Sequence, residues 1–148
     1  MKKLKFPNSD VDFVITPAFF LGDFDIYDRE ESLGEYLERF DPNDSKQLRI
    51  VLEEKLINGG RFNMLSTMHK YVILNELAIA LSDKKYDFSE FFTSHDQHFS
   101  LPWTWNIDNP RNFFEVVYEK IYDAWNVEIS SSGLLTRHPD EITGLDFN

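Results

Sequence analysis

Residues 66–81, STMHKYVILNELAIAL, decide the fold class. The run is too long for an ordinary strand and contains no glycine or proline, so it reads as a helix. Met68, Val72, Ile73, Leu74, Leu77, Ala78, Ile79, Ala80 and Leu81 place apolar side chains almost all round it. A helix without a wide polar face is normally the buried centre of its domain. The expected fold is therefore mainly α: one single-domain bundle, residues 1–148, of about four to five helices packed around residues 66–81.

Outward from that centre, the pattern supplies the other helices. Asn109 reads as a cap with Pro110 at the first helical position, opening a helix to about Trp125 with Phe114, Val117, Tyr118, Ile121 and Trp125 on one face. Before the centre, Asp41-Pro42 opens and Gly59-Gly60 stops a helix that buries Leu48, Val51, Leu52 and Leu56. Ahead of it, Asp28 is placed to cap, with Glu31 in the capping-box position and a stripe of Leu33, Tyr36, Leu37 and Phe40. Residues 87–92 suggest a helical turn or two, and the segment through Trp103 and Trp105 reads as a loop laying aromatics on the core. Short extended segments are expected near 11–15 and 127–129. Residues 130–148 read as a loosely attached tail.

Composition narrows the function classes. The chain has a net charge of −11, a pI near 4.7 and fourteen phenylalanines. Such a balance argues against nucleic-acid and anionic-membrane surfaces and favours a basic protein partner. The phenylalanines predict an aromatic core with some aromatics left over for an interface. Without cysteine there is no disulfide framework and no thiolate chemistry. Asp10, Asp12 and Pro17 break the apolar region that a signal peptide would need after Lys2, Lys3 and Lys5, and no apolar run approaches a membrane span of roughly 20 residues. A soluble, cytoplasmic protein is expected.

The charge is concentrated. Residues 23–44, DFDIYDREESLGEYLERFDPND, carry nine acids against two bases and so hold seven of the eleven net negative charges. Phe24, Tyr27, Tyr36 and Phe40 lie among them. An anionic surface studded with aromatics steers a cationic partner and offers rigid anchors, whereas a run of charge alone commonly serves as a solvated face. The candidate partner-binding residues are Asp23, Asp25, Tyr27, Asp28, Glu30, Glu31, Glu35 and Glu38.

Chemistry finds little support in the sequence. His95 and His98 offer two metal ligands without a third, so a surface loop is the better reading. Glu115, Glu119 and Asp123 form a row at i, i+4 and i+8, but lack the Glu-x-x-His partners of a di-metal helix site and read as a solvated face. Neither a nucleophile elbow nor a phosphate loop occurs. His69 and His138 are isolated, and the tryptophans suit packing. No cofactor, metal site or catalytic residue is expected, and a small metal-dependent enzyme is the least favoured class.

The order of features from residue 17 to residue 57 adds a family likeness. PAFFLGDFDIYD followed by ESLGEYLERFDPNDSKQLRIVLEEKLI resembles the helical immunity proteins of bacterial contact-dependent growth inhibition and related polymorphic toxin systems. The shared features are an aromatic-plus-acid segment, a short helix with a Tyr-Leu…Phe pattern, an Asp-Pro break and a helix rich in Leu and Glu. The resemblance implies a cytosolic protein that binds and neutralises the toxic domain of a cognate secreted effector. Because nucleases are basic in order to hold phosphates, a chain of −11 suits a nuclease target, DNase or RNase. The competing class is an acidic regulatory protein that mimics nucleic acid and binds several basic proteins.

Overall fold

The computed structural model describes residues 4–93, 100–102 and 104–142. A 3-10 segment, Phe19–Phe24, precedes the first helix. Helix α1 (residues 30–37) begins as a wide π turn, Glu30–Gly34, and tightens into Glu35–Leu37. Helix α2 (residues 45–57) has α geometry over Ser45–Val51 and π geometry over Leu52–Ile57. A single turn, α3 (Gly60–Asn63), leads into α4 (Thr67–Ser82). The turn α5 (Glu90–Thr93) precedes the longest element, α6 (Pro110–Ser131), and a 3-10 turn, Pro139–Glu141, follows it. The mainly α fold expected from residues 66–81 is the fold observed. Among the described residues no β-strand forms, and segment 11–15 contributes only to an isolated antiparallel bridge between Lys5 and Asp12.

Helices α4 and α6 pack against each other and make the centre together. On α4, Ile73, Leu74, Leu77, Ala78, Ala80 and Leu81 are buried, while Met68 and Ile79 are 44% and 53% exposed. Residues 113–118 of α6 are buried without a gap. Six consecutive positions go more than once round a helix, so this stretch is covered on every side. Helix α2 and the segment after α6 supply the other walls. Salt bridges fasten the outside: Arg49 with Glu119 and Lys120 with Glu53 (2.7 Å) join α2 to α6, and Lys70 with Glu128 (2.9 Å) joins α4 to α6.

Local chemistry explains most boundaries. Ser66 caps α4 by accepting from the His69 amide at 3.3 Å, and Asn109 caps α6 by accepting from the Asn112 amide at 3.1 Å. Gly59 ends α2 where a Cβ would collide with the Lys55 carbonyl oxygen. Two expected caps move. Helix α2 is capped by Asp44, which accepts from the Lys46 amide at 3.0 Å, whereas Asp41 accepts from Asn43 at 2.9 Å in an Asx turn ahead of it. Asp28 does not cap α1: it adopts φ +60°, and Arg29 stands at the cap position without a side-chain capping bond to the helix.

The C-terminal part also differs. Residues 127–129 are helical, because α6 runs on to Ser131 and buries Ile129 completely. The expected loose tail is fastened as far as it is described. Tyr118 donates its hydroxyl to the Arg137 carbonyl at 2.5 Å, Arg137 reaches Ser82 Oγ at 2.5 Å, Pro139 is buried, and Ile142 packs on the core.

An acidic face around Tyr27

The acidic segment projects from a rigid turn. Ile26 donates its amide to the Ser100 carbonyl at 2.7 Å, and Arg29 donates its amide to the Ile26 carbonyl at 2.7 Å. Asp28 occupies the third position of that turn, where a type II turn places a positive φ, and aspartate tolerates the left-handed region better than most residues. Asp25 Oδ1 accepts from the Tyr27 amide at 3.0 Å and from the Ser100 amide at 3.2 Å. The guanidinium of Arg29 donates to the carbonyls of Asp25 and Gly22, so its hydrogen bonds hold the backbone and neutralise no carboxylate. The product of these bonds is a Tyr27 side chain that is 71% exposed.

Helix α1 continues the face. Leu33 and Leu37 turn inward, and Trp105, itself buried, donates its indole N–H to the Leu37 carbonyl at 2.8 Å. That bond satisfies a carbonyl at the helix end and fixes α1 on the core. Glu30, Glu31, Glu35 and Glu38 are left exposed, as is Asp28. Of the eight candidate partner-binding residues, six therefore project outward: Tyr27, Asp28, Glu30, Glu31, Glu35 and Glu38. Asp23 and Asp25 do not belong with them in the same sense, since both are half-buried and Asp25 is a backbone clamp. Asp23 lines a cleft of about 740 Å3 between the Phe19–Phe24 segment, α1 and α2, together with Arg29, Glu54 and Lys55.

The aromatics divide sharply. Every described phenylalanine lies in the core or packs against it, so none of these is left over for an interface. Phe24 is fully buried, and Phe40 packs against the core. Tyr36 is covered by the Lys55 ammonium, 4.3 Å from its ring centre, and hydrogen-bonds Glu54 through its hydroxyl. Among the described residues Tyr27 is the one exposed Phe, Tyr or Trp, and it stands amid the acids. Its exposure follows from the turn, which no periodicity in the sequence marks.

The chemical constellations fare differently. Glu115 is only 8% exposed and Glu119 pairs with Arg49, so the carboxylate row is no solvated face; only Asp123 of the three is exposed. His69 is structural, with Ser66 Oγ 2.6 Å from Nδ1 and the Lys5 carbonyl 2.6 Å from Nε2, and Phe13 edge-on at 4.7 Å. His138 accepts the Asp140 amide at 3.1 Å at the head of the last 3-10 turn. His95, His98 and Trp103 lie outside the described residues. Among the described residues no group of three or more His, Asp or Glu is placed to hold a metal ion, and no helix is long and apolar enough to cross a membrane. Compared with protein-family models, curated proteins and solved structures, the chain matches none.

Proposed function

We propose that this chain is an immunity protein that binds and neutralises a cognate basic toxin domain acting in the cytosol, a nuclease in the first instance, through the acidic face around Tyr27. One observation carries the reading: the single exposed aromatic ring of the described residues stands on a braced turn among exposed carboxylates. Aromatic anchors that are rigid before binding lose little entropy when they dock, and surrounding carboxylates raise the encounter rate with a cationic surface. The net charge of −11 and the sequence likeness to immunity proteins support the same reading.

The direct test is co-purification of the full chain with the product of its neighbouring gene, followed by assay of that product's nuclease activity. A 1:1 complex with the nuclease silenced is expected. Replacing Tyr27 by Ala should weaken the complex by about 2 kcal/mol, the usual loss at a central aromatic anchor. Binding that DNA displaces, and that extends to unrelated basic proteins, would instead identify a nucleic-acid mimic.

A further inference from the structure

A second cleft, about 810 Å3, opens between the end of α4, the start of α6 and the returning C-terminal segment. It shares no lining residue with the acidic face. Its charged lining reverses the sign of the molecule: Lys84, Arg111 and Arg137 stand against Glu115 and Glu141, on a chain of net charge −11.

The two arginines are held in place by different bonds. Arg111 donates to the carbonyls of Leu81 (3.2 Å), Asp83 (2.8 Å) and Tyr86 (3.0 Å), and its guanidinium lies 5.1 Å from the Phe88 ring centre. It closes the carbonyl end of α4 and forms a fixed positive wall. Arg137 is exposed, and its Nη1 donates to Ser82 Oγ at 2.5 Å. Its backbone is anchored by the Tyr118 hydroxyl. A guanidinium has five N–H donors in a planar fork, so this single described bond leaves donors for a ligand. Lys84 is exposed beside it, and Leu81 and Ile142 add apolar lining.

We propose that this cleft binds a small organic oxyanion, of one or two negative charges, through Arg137 and Lys84. The fork of Arg137 matches two oxygens of a carboxylate or phosphate, and Lys84 adds a mobile charge. Glu115, Glu141 and the net charge of the chain set the upper limit on ligand charge. The apolar lining favours an anion that carries a carbon skeleton over a bare inorganic ion.

The test is an amide-shift titration of the full chain with inorganic phosphate, phenyl phosphate and benzoate, on the native protein and on R137Q, K84A and the remote K46A. Saturable shifts confined to amides near residues 81–85, 111–115 and 137–142 are expected with phenyl phosphate or benzoate. The tighter of the two shows whether the site prefers a phosphate or a carboxylate head group. Losing a charge-assisted bond should weaken that binding about tenfold in R137Q. K84A, which removes a side chain with no described partner, carries the test should R137Q fold poorly, and K46A should bind like the native chain. Shifts that never saturate, that follow every Lys and Arg alike, or that survive in K84A and R137Q would overturn the site. So would inorganic phosphate binding as tightly as the organic anions.

Discussion

Asp25 accepts hydrogen bonds from two backbone amides, so its carboxylate belongs to the frame of the turn that lifts Tyr27. Asp25→Ala removes the acceptor that both amides share and should cost about 1–2 kcal/mol in urea unfolding. Glu35→Gln, on the exposed side of α1, should stay within about 0.5 kcal/mol, as surface changes do. Equal effects from the two would refute the division between frame and face. Trp105→Phe keeps the buried ring system but takes the donor from the Leu37 carbonyl. A loss of about 1–3 kcal/mol is expected, the cost of a buried acceptor left without its partner. Calorimetry showing no change would mean that α1 is not fixed by this bond.

Helices α4 and α6 are joined by Glu128, which takes hydrogen bonds from Lys70 at 2.9 Å and Thr67 at 2.7 Å. These donors, Lys70 foremost, hold the Glu128 carboxyl below its ordinary value. Asp44 is lowered likewise, by the Gln47 side chain and then the Lys46 amide. A lowered folded-state value means that the unfolded chain takes up the proton first. The contribution is then present above the ordinary carboxylate range and is lost as pH falls through the depressed value. The stability gap between the native chain and E128Q, measured in urea at pH 7 and again below about pH 4, should therefore narrow on acidification. A gap that stays constant would contradict the assignment.

Element by element, legibility tracked how local the determinants are. The caps of α4 and α6 were legible because Ser66 and Asn109 act on amides three residues away. The start of α2 was not, because Asp41, Pro42 and Asp44 offer competing signals within four residues and a distant contact decides between them. Asn43 bonds the Asn106 carbonyl at 2.6 Å and the Asp108 amide at 2.9 Å, which holds residues 41–44 as a turn. Val127 and Ile129 suggested a strand, yet burial of Ile129 at the end of α6 overrode β-propensity. Glu115 departs from its helical pattern for a similar reason: α4 and the returning C-terminal segment, which flank the start of α6, leave no mark in helical spacing.

On the scale of the whole molecule, the total of charge was readable and its placement was not. Counting acids located the face, but only the turn shows that Asp25 points into the backbone while Tyr27 points out. Several cations elsewhere bridge helices, with Arg49, Lys70 and Lys120 paired to carboxylates across α2, α4 and α6. They balance acids outside the α1 face and leave its charge in place. Electrostatic steering by that face should act on encounter and fade with salt. The central measurement is the association rate of the full chain with the product of its neighbouring gene, compared with a variant carrying Asp28→Lys, Glu31→Lys and Glu35→Lys, at low and high salt. Association about tenfold or more slower in the variant at low ionic strength, with the difference shrinking as salt rises, is the expected result. Equal association rates at low salt, or no complex with the native chain, would contradict the account.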